Sequence, residues 1–174
     1  DFKKYLADIL ALLAEVDGIS LHAYTHGQDP ALIFSDVKMT DARVKHLHNE
    51  FRVYRDFMAA IPDRFRTCPV YITETDQYGA WKDANTGWVR NAYQEINTNW
   101  NGNPANQPIQ ALILYRWIIA DHNSAQEVGW AIEDKPALQA DWRDAMNNDY
   151  RVVLPLSRPL YLVAWLEVGA PTRV

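Results

Sequence analysis

The chain has 174 residues, of which 48% are hydrophobic and 22% charged, and its net charge is −5 at pH 7. This length and composition predict a globular domain with a core of its own. The acidic balance and the lack of a dense Lys/Arg run argue against nucleic acid as a partner. No apolar run approaches the length that spans a bilayer, so no membrane partner is expected. A single cysteine excludes a disulfide within this chain and a thiolate metal site.

Helical and strand patterns alternate along the first 150 residues. Apolar residues at steps of three and four predict helices over residues 2–16, 40–61 and 87–100, and a fourth that begins at Pro136. Of these, the helix over residues 40–61 has the most regular pattern. Short apolar runs predict strands over residues 19–24, from Pro69 to about Glu74, and over residues 109–118. Such alternation indicates βαβ crossovers and a parallel sheet.

Three strands are too few for a stable parallel sheet, whereas a (β/α)8 TIM barrel has eight strands in about 250 residues. We therefore expect an α/β fold: a partial TIM barrel of about three parallel strands with four helices, the C-terminal part of a larger barrel, over residues 1–150. Residues 151–174 are predicted as an extended tail or the start of another element. Exposed sheet edges would favour a homo-oligomer. We expect no leader at the N-terminus, and localisation stays open, secretion of a longer protein being compatible.

The second strand ends in two carboxylates, Glu74 and Asp76, two residues apart. Parallel strands carry their chemistry at the carboxyl end, where the chain leaves the sheet. If the strand persists to Asp76, the two side chains point the same way. Two close carboxylates raise one another's pKa and can divide acid and base roles. A metal site, or a strand-end glutamate bound to loop amides, is the alternative.

The first and third strands also end in polar or aromatic side chains. Ser20, His22 and Tyr24 share one face of the first strand, which is unusual unless they meet something polar. His22 and His26 have the helical spacing of metal ligands but lie on a strand and its loop, so no metal is expected. Trp117 follows the third strand. It is either a stacking platform for a sugar or a plug that fills the barrel.

Two further observations concern aromatic residues and one polar triplet. The chain has 7 Trp and 9 Tyr, which either fill the core or line a sugar-binding cleft. Among them, Trp81 lies in the loop after the second strand.

His48, Asn49 and Glu50 fall inside the predicted helix over residues 40–61, and we interpret them as part of its solvated face.

The three strand regions, taken in order, resemble the C-terminal half of a retaining glycoside hydrolase barrel of clan A, which includes the cellulase-like family 5 enzymes. The matching stretches are GISLHAY at 18–24, VYITE at 70–74 and YRW at 115–117, and the resemblance covers about residues 1–148. In that clan the sixth strand often presents His or Tyr, the seventh ends in the nucleophilic Glu, and the eighth presents a Trp under the sugar.

The resemblance implies that Glu74 is a catalytic nucleophile and that the partner is a carbohydrate substrate, with no cofactor. It implies that His22 and Tyr24 orient Glu74 or contact substrate, and that Trp117 is the sugar platform. Asp76 and Trp81 are further candidate substrate contacts. The clan's acid/base Glu follows an Asn on the fourth strand, and no such strand is recognised here. Activity of the chain alone therefore stays open, and a non-catalytic carbohydrate-binding or assembly half-barrel is the alternative.

Overall fold

The structure, a computed structural model, describes residues 1–148 and 150. Within these residues it contains three parallel strands and five α-helices. The strands are β1 (Ile19–His22), β2 (Val70–Thr75) and β3 (Ile109–Leu114). The helices are α1 (Phe2–Leu12), α2 (Val53–Met58), α3 (Trp88–Gln94), α4 (Ala125–Trp130) and α5 (Pro136–Met146). The α/β class and the parallel sheet are confirmed, and the prediction for residues 151–174 lies outside the described residues.

The sheet order is β1-β2-β3, so each strand lies beside the next one in the chain. Ile19 pairs with Val70, which in turn pairs with Ile109. Right-handed crossovers in this order put the connecting helices on the same face of the sheet. On β1 the burial alternates, with Ile19 and Leu21 in the core and Ser20 and His22 exposed. One face of β1 is therefore in the core, and its polar face is open.

The helix predicted over residues 40–61 is wrong for most of its length, since only α2 is α-helical there. Residues 40–52 form turns and a short bridge between Lys38 and His48. The amide of Met39 donates to the carbonyl of Leu47 at 3.0 Å, and the Asp56 carboxylate accepts from the amide of His48 at 2.7 Å. These bonds satisfy the backbone without a helical ladder. The apolar spacing predicted which residues are buried but not their backbone conformation.

Other boundaries differ less. The first helix ends at Leu12, and α3 continues as a π-helical segment, Glu95–Trp100, to the predicted end. The sequence did not predict α4, whose first turn is capped by the Ser124 hydroxyl, which accepts from the amide of Glu127. No helix of the described residues has the length and apolar character needed to cross a membrane.

The third strand ends at Leu114, four residues before its predicted end. The amide of Arg116 donates to the carbonyl of Trp130, and the amide of Ile132 donates to the carbonyl of Arg116. The chain thus leaves the sheet to pair with the segment after α4. On β3 itself, Ile113 is exposed although it belongs to the apolar run that predicted the strand.

Candidate functional site

A glutamate, a tyrosine and a histidine meet at the carboxyl ends of β1 and β2. The Tyr24 hydroxyl donates to Glu74 Oε1 at 2.6 Å. Because that hydroxyl has one hydrogen, we assign its 3.1 Å contact with His22 Nδ1 to an imidazole N–H that donates to it. His22 Nδ1 also lies 3.9 Å from Glu74 Oε2. Parallel pairing holds the strand ends together, since the amide of Ala23 donates to the carbonyl of Glu74 at 3.2 Å.

The arrangement keeps Tyr24 protonated and Glu74 accessible. Burial, the hydrogen bond to Glu74 and the negative charge of that carboxylate raise the pKa of Tyr24 above its ordinary value. The Glu74 side chain is 29% exposed. Among the described residues, Oε2 has no hydrogen-bond donor as close as the one on Oε1. Oε1 is therefore fixed by Tyr24, while Oε2 accepts no hydrogen bond from the described residues.

Asp76 has a different environment from Glu74, although only two residues separate them. The register between β2 and β3 shifts between Ile72 and Thr75, so the strand alternation does not continue to Asp76. Asp76 is 5% exposed, and its Oδ1 accepts from the amide of Tyr78 at 2.6 Å. Burial raises the pKa of Asp76 to about 6, the bond from Tyr78 opposes this, and the charge of Glu74 adds to it.

The two tryptophans proposed as sugar contacts lie in contrasting places. Trp81 is buried, its indole N–H donates to the carbonyl of Tyr115 at 2.6 Å, and its ring packs on Trp88. It therefore offers little surface to a ligand. Trp117 is 44% exposed and lies after β3, with its ring 5.2 Å from that of Trp142. Its ring is available from solvent.

The sequence-based interpretation of His48, Asn49 and Glu50 as a solvated helix face is wrong. Glu50 is buried, its Oε2 accepts from the amide of His26 at 2.7 Å, and its Oε1 accepts from the side-chain amide of Asn49 at 2.7 Å. One signal could have indicated this. Glu50 lies three residues after Leu47 and four before Tyr54, which is the spacing of a buried position.

In the described residues, this cluster belongs to no metal-ligand group and to neither of two pockets. In residues 1–148 and 150, no group of three or more His, Cys, Asp or Glu side chains is arranged to hold a metal ion. Two cavities, of about 280 and 530 Å³, lie elsewhere: Tyr93, Leu112 and Met146 help to line the smaller, and Met58, Trp100 and Gln107 the larger. Glu74 lines neither of them.

The fold and this cluster define an α/β domain with a carboxylate at the carboxyl end of a parallel strand. Comparisons with protein-family models, with curated proteins and with solved structures found no match for the chain.

Proposed function

We propose that the chain belongs to a retaining glycoside hydrolase in which Glu74 is the nucleophile. The observation that supports this most is the split environment of its carboxylate. Oε1 accepts a short hydrogen bond from Tyr24, whereas Oε2 accepts none from the described residues and lies 3.9 Å from His22 Nδ1. A nucleophile needs to be oriented and reachable, and this carboxylate meets both needs: Tyr24 orients it and its side chain is partly exposed.

The reaction would be a double displacement. Glu74 Oε2 forms a bond to the anomeric carbon as the bond to the leaving-group oxygen breaks, and that oxygen takes a proton from a general acid. Water then attacks the anomeric carbon, loses its proton to the same group acting as base, and Glu74 is released as a carboxylate. Neither step assigns the acid/base to a residue described here.

The proposal includes the TIM barrel. A doubly wound sheet reverses its strand order, whereas a barrel keeps neighbouring strands in chain order. The observed order β1-β2-β3 is compatible with the barrel, and the open polar face of β1, with Ser20 and His22 exposed, supports it. In a barrel that polar face would be turned towards the interior and the substrate.

Covalent trapping tests the nucleophile without a general acid. Glycosyl fluorides with fluorine at C2 carry a leaving group that needs no protonation, and the resulting glycosyl-enzyme hydrolyses slowly. The full chain would be incubated with the gluco, manno, galacto and xylo reagents and digested for mass spectrometry. We expect one added glycosyl group, on the peptide that contains Glu74.

Two variants control the trapping experiment. Glu74→Gln keeps an acceptor for Tyr24 and should abolish labelling, whereas Glu15→Gln, at an exposed position, should label as the native chain does. Labelling of another residue, or of none by all four reagents, would contradict the proposal. Binding of oligosaccharides without labelling would favour the non-catalytic carbohydrate-binding half-barrel.

A further inference from the structure

Two exposed rings, His26 and Tyr78, lie next to the Glu74 cluster. The ring centroid of Tyr78 lies 6.2 Å from that of Tyr24 and 5.3 Å from that of His26. Tyr24 is the residue whose hydroxyl donates to Glu74. Tyr78 is 69% exposed and the His26 side chain 47%. Leaving a large ring in water is unfavourable because its apolar surface is hydrated. A pair of exposed rings beside a candidate nucleophile therefore indicates a contact surface for a ligand.

A buried carboxylate holds His26. Glu50 is 7% exposed, accepts from the backbone amide of His26, and places Oε2 3.5 Å from His26 Nδ1. Its other oxygen is occupied by Asn49. The side-chain nitrogen of Asn49 lies at the same 3.5 Å from Nδ1, so two side chains contact this edge of the ring. Nε2, on the opposite edge, is left for a ligand hydroxyl.

A second buried carboxylate holds Tyr78. The amide of Tyr78 donates to Asp76 Oδ1 at 2.6 Å, and the residue has a φ of +51°. Gly79, the next residue, has a φ of +149°. A tyrosine rarely adopts the left-handed region, and such strain persists only where its surroundings impose it. The backbone is therefore fixed in the conformation that leaves this ring exposed.

We propose that His26 and Tyr78 form a second sugar-binding subsite beside Glu74, with Glu50 as the positioning residue of His26. The inference rests on the proposed function and specifies its substrate class as an oligosaccharide or polysaccharide. The apolar face of a tyrosine ring packs against the C–H face of a pyranose, and Nε2 of His26 would form a hydrogen bond with a sugar hydroxyl. The contact between Tyr78 and Tyr24 makes this surface continuous with the Glu74 cluster, as two adjacent sugar units require.

Binding of defined oligosaccharides tests the subsite. The probes are β-1,4-linked gluco-, manno- and xylo-tetrasaccharides, titrated by calorimetry into the full chain. Tyr78→Ala should raise the Kd of the bound tetrasaccharide about tenfold, the loss of one aromatic contact. The matched control is Tyr5→Ala, at an equally exposed tyrosine of α1, which should leave the Kd unchanged.

The outcomes separate the subsite from the proposed function. Failure of the glycosyl fluorides to label Glu74 counts against the nucleophile, whereas tetrasaccharide binding that Tyr78→Ala does not weaken overturns the subsite. Absence of binding by all three tetrasaccharides also overturns the subsite. These two measurements are made on the same protein and do not depend on each other.

The positioning role of Glu50 has its own readout. Glu50→Ala should raise the tetrasaccharide Kd severalfold and change the imidazole ¹⁵N shifts of His26 in NMR spectra. Glu50→Gln, whose amide oxygen can still accept, should restore both. A lower melting temperature with an unchanged Kd and unchanged imidazole ¹⁵N shifts would reduce Glu50 to structural support and overturn this role.

Discussion

Glu74 and Glu95 each accept a hydrogen bond from a tyrosine, but their surroundings differ in every other respect. Tyr24 donates to Glu74 at 2.6 Å, and Tyr54 donates to Glu95 at 3.0 Å. Glu95 is fully buried, whereas the Glu74 side chain is partly exposed. The comparison shows how a carboxylate committed to the fold differs from one left available for chemistry.

The difference lies in how many donors each carboxylate has. Glu95 also accepts from Arg52 at 3.0 Å, from Arg55 at 2.6 Å and from Asn99 at 2.7 Å, so both its oxygens are occupied. Burial acts to raise the pKa of Glu95, but the bonds from Arg52 and Asn99 and the charge of Arg55 outweigh it and lower the pKa. Glu95 is therefore ionised and inaccessible, which suits a structural role.

The largest predicted effect follows from this contrast. Glu95→Ala leaves Arg52, which is mostly buried, without its main partner. Breaking a buried ion pair by removing one partner costs about 3–5 kcal/mol of unfolding free energy. Glu74→Ala, at a partly exposed site, should cost less than about 1 kcal/mol. Urea denaturation of both variants measures this, and equal losses would contradict the structural assignment of Glu95.

A second prediction concerns the pH dependence contributed by Asp76. Its pKa of about 6 in the folded chain lies above the ordinary value of 3.8, so the unfolded chain loses this proton at lower pH. The folded state therefore loses stability as the pH rises from about 4 to about 6, by about 2–3 kcal/mol in total, and the loss stays constant above that range.

Asp76→Asn removes the charge and keeps an acceptor for the amide of Tyr78. We expect the variant to exceed the native chain in unfolding free energy by about 2 kcal/mol at pH 7.5 and to match it at pH 4. Urea denaturation at a series of pH values is the measurement. A native-minus-variant difference that does not change with pH would show that Asp76 keeps its ordinary pKa.

The polar side chains at the carboxyl ends of β1 and β2 could be predicted from sequence because the evidence for them is local. β2 combines apolar residues with a carboxylate at its end, and the spacing of polar residues on β1 placed His22 and Tyr24 on one face. Parallel strands meet at their carboxyl ends, so the contact between Tyr24 and Glu74 follows from adjacent strands. What local patterns omit is the register shift before Thr75, which gives Asp76 its separate environment.

The Glu50 contact could not be predicted because it depends on residues distant in sequence. The apolar spacing of Leu47, Phe51 and Tyr54 is compatible with a helix and with a series of turns. The bridge between Lys38 and His48 decides between them, and Glu50 then meets His26, 24 residues earlier. Tertiary hydrogen bonds override the helical pattern here.

A third prediction compares the two tyrosines. Tyr54→Phe removes a hydroxyl buried between Glu95 and Arg55, so it should cost about 1–2 kcal/mol of unfolding free energy. Tyr24→Phe removes a hydroxyl nearer solvent and should cost less, but it should slow labelling of Glu74 by up to about 100-fold, because the carboxylate loses its orientation. Chemical denaturation and the labelling rate separate the two roles. An equally slow labelling rate in Tyr54→Phe would contradict the specific role of Tyr24 at Glu74.

The smallest predicted effect is at a carboxylate that is neither buried nor held at a site. Asp8 pairs with Lys4 one turn away on α1, and both side chains are largely exposed. Solvent screening leaves such a pair about 0.5 kcal/mol or less, so Asp8→Asn should change the unfolding free energy by no more than that, and by less still in 1 M salt. A loss of unfolding free energy as large as that of Glu95→Ala would mean that the exposure of a carboxylate does not determine how much it contributes to stability. The contrast between Glu74 and Glu95 would then need a cause other than solvent access.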